Sequence, residues 1–523
     1  MTLGNRIYKY RTERGLSRES IAEKCSVSSR SVQKWESDSS KPSLENLIML
    51  SKIFNITLDA LAIGVDEGVR EERKAFIHPD YSEERLWETY ADFLMTEYNQ
   101  SLEEGKDVEE YEKLFKAVSC LKNFEYKECL SDILFDIVTN APMRENYEFY
   151  EPSDLAEIKK SRDPSAMNKK EPNQSLLQSK IAGAWYGRIC GCFLGKSIEG
   201  IKTDELNRLL KETGNYPMHR YIKKSEIPED MLRRARFNFD HDHYADLIDC
   251  VPSDDDTNYT VLYQELITKY GRDFKPRDVA AFWTEKQPKS AYYTAEETAY
   301  CNFIKGFTPP ASAMYKNPFR EWIGAQIRAD YFGYINPGDP ETAADMAYRD
   351  AVISHTKNGI YGEMYFAALI AIAAVENDMR EAIEQALKFI PQKSRFVRSV
   401  RLITDDYDGG VDESKCFSKI LSRWDEYTYG CHVLPNAEIV IASLLYGDGD
   451  YGKTICRAVQ TGLDTDCNAA TAGSVLGMMT GISAIGEEWT SPFGGKLETQ
   501  IFGVGKVDIG DRINITLEHI KNK

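Results

Sequence analysis

Residues 180–200 read KIAGAWYGRICGCFLGKSIEG, with Gly183, Gly187, Gly191 and Gly195 each four residues apart. In a helix that spacing places all four on one face. Each glycine destabilises a helix by about 1 kcal/mol relative to alanine, so the stripe implies a second backbone packed against it. Residues 464–481, DTDCNAATAGSVLGMMTG, repeat the pattern with Ala469, Gly473, Gly477 and Gly481. The two helices are therefore expected to pair closely at the centre of a helical body. Small residues at this spacing also serve membrane helices, but Arg188 and Lys196 interrupt the apolar run. No stretch approaches the roughly 20 apolar residues that a span needs. The start, MTLGNRIYKYRTERG, has no apolar signal region, so a cytoplasmic chain without membrane partners is expected.

Both stripes lead into acid. Glu199 follows the first, and Asp464 and Asp466 open the second. A third helix is predicted after VPSDDDTNYT (251–260), where Tyr259, Leu262, Tyr263, Leu266, Ile267 and Tyr270 recur at helical spacing. A carboxylate at a helix N-terminus is an ordinary cap favoured by the dipole. A cap uses one carboxylate, however, and Asp254, Asp255 and Asp256 stand in a row. Two like charges about 4 Å apart repel by about 4 kcal/mol at an effective dielectric of about 20. If the 254–256 and 464–466 corners converge, five carboxylates share one site. Bound cations make such a site reasonable, and oxygen donors suit Mg²⁺, Mn²⁺ or Ca²⁺.

The formal charge of −18 over 523 residues is unevenly spread. Residues 1–64 hold 10 Lys/Arg against 7 Asp/Glu, a balance of +3 that leaves −21 for the rest. Only the head is therefore expected to meet a polyanion. It reads as a run of short helices. Ser17 caps RESIAEKC with Ile21 and Ala22 inward, and SRSVQKWESD turns Val32 and Trp35 to the core. KPSLENLIMLSKIFNITLDAL adds Leu44, Leu47, Ile48, Leu50 and Leu58. Two short helices with a tight link make a helix-turn-helix, and residues 3–64 resemble the Cro/repressor-type helix-turn-helix family. The resemblance implies double-stranded DNA as a partner and a homodimer. It also implies that the 28–37 helix enters the major groove, with Ser28, Ser29, Arg30, Gln33 and Lys34 facing bases and phosphates. A protein-interaction bundle with solvated charges is the alternative.

Beyond the head, ERLWETYADFLMTEY and YEKLFKAVSCLKNF are amphipathic and charged outside, while KKSRDPSAMNKKEPNQS (159–175) is a polar linker or exposed loop. Neither carries a catalytic constellation. The expected organisation is an all-α chain with a helix-turn-helix domain over 1–66, a helical spacer over 67–175 and a large body over 176–523. Eleven cysteines, an odd number without a C-x-x-C pair, fit reduced thiols better than disulfides or a zinc ribbon.

The body's ordered motifs are KIAGAWYGRICGCFLGKSIEG, SDDDTNYT, GAQIRADYFGYINPGDP, SHTKNGIYGEM and TGLDTDCNAATAGSVLG. Together they resemble the ADP-ribosylglycohydrolase family across 176–523. The resemblance implies an orthogonal α-helical bundle with two Mg²⁺ (or Mn²⁺) ions between the acidic corners. Position by position it implies metal ligation by Asp254, Asp255, Asp256, Asp464, Asp466 and Cys467. Asp254 stands where many members carry threonine, and Cys467 where they carry Ser or Thr; a thiol is a poor Mg²⁺ ligand. Glu199 matches an acid/base glutamate near the scissile bond, with Asp255 and Asp256 in catalytic support; otherwise Glu199 orients a water. His355, Asn358, Gly359, Tyr361 and Gly362 would line the substrate cleft, with Tyr361 a stacking surface. Gly324 and Gln326 belong to a loosely preserved ADP-ribose loop.

The implied activity is divalent-metal-dependent hydrolysis of a ribosyl N- or O-glycosidic bond, in an ADP-ribosylated protein or a small ribosyl compound. It would be coupled to transcription regulation through the DNA-binding domain. The alternative is a regulator that senses ADP-ribose or a nucleoside without turning it over. One further motif, GDGDYGKT (447–454), satisfies the P-loop pattern. Asp448 and Asp450 would repel phosphates there, so it reads as a surface turn.

Overall fold

The computed structural model describes residues 1–62, 64, 87, 89–122, 124–425 and 428–522. The chain forms two compact units, Met1–Leu86 and Trp87–Lys523. The first part of the expected spacer, 67–86, lies outside the described residues.

In the small unit, helices Leu3–Glu13, Arg18–Lys24, Ser29–Glu36, Leu44–Phe54 and Leu58–Ala62 follow one another. Thr2, Ser17, Ser28 and Ser43 each accept a hydrogen bond from the backbone N–H three residues on, so hydroxyl caps set four of the starts. Ile7, Ile21, Val32, Trp35, Leu50, Phe54 and Leu61 form the core. Leu44 and Ile48, expected inside, are 66% and 41% exposed. Leu50 and Phe54 share the buried side of their helix, and Leu44 and Ile48 share another, which the spacing alone does not rank. Buried Glu36 accepts from Arg11 and from Arg18 Nε at 2.7 Å, tying the first three helices together.

The large unit is helical throughout; among the described residues its one strand pair is Lys496–Leu497 with Val507–Asp508. The all-α expectation holds. No helix among the described residues is long and apolar enough to cross a membrane. At the centre, helix Gln174–Lys196 runs antiparallel to helix Thr465–Thr480, stripe against stripe. A Cβ on Gly183, Gly187 or Gly191 would lie 2.3, 2.2 or 2.1 Å from the carbonyl oxygen of Gly477, Gly473 or Ala469. On Gly195 it would lie 2.3 Å from the Asp466 nitrogen. Only glycine permits backbones this close. Because the pair is antiparallel, the end that carries Lys196 and leads to Glu199 lies beside the start at Asp464–Asp466.

Arg188, on the first of these helices, fixes the third element. Its Nε and Nη2 donate to the Asp256 carbonyl at 3.0 and 2.8 Å, Nη2 also to Asp256 Oδ1 at 2.8 Å, and Nη1 to Asp330 Oδ2 at 2.8 Å. Helix Asp255–Tyr270 is thereby pinned by its first turn against the glycine-striped pair.

The helices between Tyr90 and Lys160 pack onto this body through buried charge. Arg320 donates to Glu97 at 3.0 Å and Glu104 at 2.6 Å, Gln100 to Glu321 at 2.7 Å, and Arg395 to Glu151 at 2.8 Å. The P-loop-like GDGDYGKT follows helix Val433–Tyr446 rather than a strand, and Asp450 caps the helix after it.

Candidate active site

Three helix ends meet at one cavity of about 170 Å³, lined by Glu199 and Lys196, by Asp254 and Asp255, and by Asp464, Asp466 and Cys467. The two acidic corners predicted from sequence are thus brought together. Asp254 caps helix Asp255–Tyr270, accepting from the Asp256 N–H at 3.0 Å, and its other oxygen accepts from Lys196 Nζ at 2.7 Å. Asp256 lies behind the cavity wall, fully buried, with Oδ1 on Arg188. Potential ligand atoms of Glu199, Asp254 and Asp466 lie within 4.8 Å of one another, as do those of Asp256, Asp466 and Cys467, and those of Cys192, Asp254 and Asp256.

Two observations show that this donor set fits a cation. Asp256 Oδ2 and Asp466 Oδ1 are buried without a hydrogen-bond partner, and an unsatisfied buried carboxylate oxygen carries a desolvation penalty that a metal ion would relieve. The carboxylates also resist sharing negative charge. Burial first, and neighbouring carboxylates second, push Asp255 and Asp464 well above the usual carboxylate range, and burial does the same to Asp256 against the opposing Arg188 guanidinium. Asp466 is raised to about 6 by burial and then by a neighbouring carboxylate. At the cavity rim, Asp466 first, then burial and Asp254, push Glu199 well above its ordinary value. Asp254 is the exception: burial opposes its ionisation, but the Lys196 ammonium outweighs that and holds it low. Burial, reinforced by nearby carboxylates, keeps the Cys467 thiol protonated, which leaves the oxygens as the better donors.

The family model described as ADP-ribosylglycohydrolase matches residues 173–511. The chain belongs to the ADP-ribosylglycohydrolase family. A model described as helix-turn-helix matches residues 7–61. Among curated proteins, the HTH-type transcriptional activator BcrR of Enterococcus faecalis is 36% identical over 64 residues, which are 12% of this chain and 31% of BcrR. The chain thus spans about a third of the length of that relative. A solved structure titled ADP-ribosylglycohydrolase-related protein complex aligns with a TM-score of 0.41 and 16% identity, covering 66% of this chain and 99% of its own.

Of the substrate-contact residues that the family resemblance implies, the structure brings Gly324 to the cavity. His355, Asn358, Gly359, Tyr361, Gly362 and Gln326 do not line it; they are buried in the body. The reason is packing. Asn358 Nδ2 donates to Glu321 and Glu151, both at 2.9 Å, and Tyr361 Oη donates to the Pro152 carbonyl at 2.5 Å. Gly359 and Gly362 sit against the Arg320 carbonyl and Val433, where a Cβ would come within 2.7 Å of each neighbour. His355 Nδ1 is 2.9 Å from Ser354 Oγ, and burial holds the ring neutral.

Residues that the sequence did not single out also line the wall, among them Trp87, Tyr293, Glu296 and Cys431. Lys196 and Arg188 were visible as charges interrupting an apolar stripe, and a charge in such a helix demands a buried partner. In the small unit, Ser28, Ser29, Arg30, Gln33 and Lys34 are all exposed at helix Ser29–Glu36. Ser28 is its cap, accepting from the Ser31 N–H at 3.1 Å.

Proposed function

We propose that the body hydrolyses a ribosyl N- or O-glycosidic bond with a divalent cation, and that the small unit directs the protein to double-stranded DNA as a homodimer. The convergence of the 254–256 and 464–466 carboxylates beside Glu199 carries this reading. Asp255, Asp256, Asp464 and Asp466 would hold Mg²⁺ or Mn²⁺, in one or two copies, with Asp254 and Cys467 at the edge of the donor set. A cation bound there supplies Lewis acidity toward ribose hydroxyls and water.

The protein's own groups do the rest. Asp255, half-buried in the cavity wall, accepts a hydrogen bond from the attacking water and aims its oxygen at the anomeric carbon. Glu199, whose carboxyl is held above its ordinary value by Asp466 first and by burial second, is placed at the cavity to give a proton to the departing nitrogen or oxygen. The carbon–leaving-group bond breaks with its electron pair on the leaving group, which takes the Glu199 proton; the water oxygen joins the anomeric carbon, and the water's proton passes to the Asp255 carboxylate. A cavity of about 170 Å³ is smaller than the roughly 300–1,000 Å³ of ordinary small-molecule sites. It encloses a ribosyl group and leaves the remainder of the ligand at the mouth.

At the other unit, the exposed Arg30, Gln33 and Lys34 suit base edges and phosphates, and the capped start at Ser28 and Ser29 offers backbone N–H groups to a phosphate. One observation favours binding without turnover: Lys196 already occupies one oxygen of Asp254 inside the cluster. Incubation with Mg²⁺ and ADP-ribosylated protein or nucleosides separates the two. Free ribosyl product, lost in Asp255→Asn, supports hydrolysis. Ligand-dependent operator binding with no product rejects it in favour of sensing.

A further inference from the structure

Trp87 is the first residue of the large unit and precedes the 173–511 stretch that matches the glycohydrolase family. It nonetheless lines the same cavity as Glu199, Asp255 and Asp466. One ring face stacks on Phe93, with centroids 5.4 Å apart and planes at 25°. Phe319 and Trp322 pack against it edge-on at 5.7 and 6.3 Å. These supports are themselves locked, Phe93 to Phe319 at 4.8 Å and Phe319 to Trp322 at 4.7 Å. Trp322 is followed at once by Ile323 and Gly324, which also form the cavity wall. Of the four rings, Trp87 alone lines the cavity.

An indole has no charge to offer a cluster of carboxylates, and it takes no part in holding a cation among their oxygens. What it supplies is a flat apolar surface, already immobilised by three neighbouring rings, so little side-chain entropy is lost when something stacks on it. The enclosed space holds little more than a sugar ring, so whatever the ribosyl group carries emerges past the cavity wall.

We propose that Trp87 is a ligand-contacting residue whose ring stacks on a nucleobase attached to the ribosyl ligand, so that the segment preceding the family domain completes the binding site. The proposal rests on the ribosyl-hydrolase reading and narrows it to base-bearing ligands. Tyr293, the other aromatic side chain in the lining and 46% exposed, is the competing platform.

The test is calorimetric titration of the full-length protein in Mg²⁺ with ADP-ribose and with ribose 5-phosphate, which lacks the base. Stacking of a base on an aromatic ring corresponds to a change of roughly 5- to 150-fold in affinity. Trp87→Leu should weaken ADP-ribose by that factor and ribose 5-phosphate by less than about twofold, while Tyr293→Leu leaves the ratio of the two unchanged. Trp87→Phe, which keeps a ring and a folded site, should retain ADP-ribose within about threefold while losing the tryptophan fluorescence quench that wild type shows on binding. Equal weakening of both ligands, tighter ADP-ribose binding by Trp87→Leu, a quench that survives in Trp87→Phe, or a loss that follows Tyr293→Leu instead would each overturn it. If wild type binds neither ligand, the ribosyl reading itself fails, and the role of Trp87 fails with it.

Discussion

Gly187→Ala is the sharpest test of how this body is built, because two principles predict opposite signs. Alanine in place of glycine within a helix is favourable by about 1 kcal/mol on propensity alone. The structure reverses that. A Cβ on Gly187 would lie 2.2 Å from the Gly473 carbonyl oxygen and 2.8 Å from its carbon, whereas ordinary contact begins near 3.4 Å. The two backbones must part by roughly 1 Å, and neither can rotate away as a side chain would. Overpacking of a buried site costs about 1–3 kcal/mol, and backbone against backbone belongs at the upper end, so the net loss is about 2 kcal/mol. Urea unfolding of the full-length chain, followed by the helical signal that the body dominates, measures it. Gln178→Ala, at an exposed position on the same helix, serves as the control and should move the midpoint little. The same separation draws Glu199 away from Asp466, so ribosyl turnover should fall beyond what the lost stability explains. A Gly187→Ala protein as stable as wild type, or more so, refutes the close backbone pairing and the account of how the site is assembled.

Two further outcomes follow from the charges. Mg²⁺ or Mn²⁺ should raise the thermal stability of the body, by about 2.7 kcal/mol at a hundredfold excess over the dissociation constant. Asp466→Asn should abolish that rise; an equal shift in the variant would show that the ion binds elsewhere. Glu103 Oε1 accepts from Tyr429 Oη at 2.6 Å, and burial pushes its carboxyl from 4.5 up to about 7. Its folded value lies above its unfolded one, so the stability it contributes is full below about pH 4.3 and is lost as pH rises through 7. Glu103→Gln should flatten the decline in stability between those limits, and an unaltered slope in urea midpoints taken across that range would count against it.

The parts of this protein legible in its sequence are those with a local signature. Four-residue glycine spacing at 183–195 and 469–481 is meaningful only if backbones touch, and the structure shows them touching. The acidic triplet at 254–256 and the acidic pair at 464 and 466 are more than caps require, and the two corners converge. Serine before a helical run marks a cap, and Ser17, read that way, acts as one; Ser28 and Ser43 cap as well, without having been read so. Helical period alone was weaker: it identified the Leu44–Phe54 helix but not which of its apolar stripes faces inward.

What stayed hidden depends on contacts between distant segments. The family resemblance implies a cleft at Asn358–Gly362, yet Tyr361 is held by the Pro152 carbonyl, 209 positions away, and Asn358 by Glu151, 207 positions away. The segment that reads as a spacer supplies those partners, and it supplies Trp87 at the cavity as well. No periodicity near Trp87 announces this, because the phenylalanine and tryptophan at 319 and 322 that hold it lie over 230 residues downstream. The electrostatics point the same way. Carboxylates at 97, 104 and 151 neutralise Arg320 and Arg395 inside the body, and removing the segment would strip Arg320 of both its carboxylate partners and leave Arg395 with Glu321. The stretch before the family domain is therefore packed into the fold it precedes through buried ion pairs, and the cavity it helps to wall includes a residue outside 173–511.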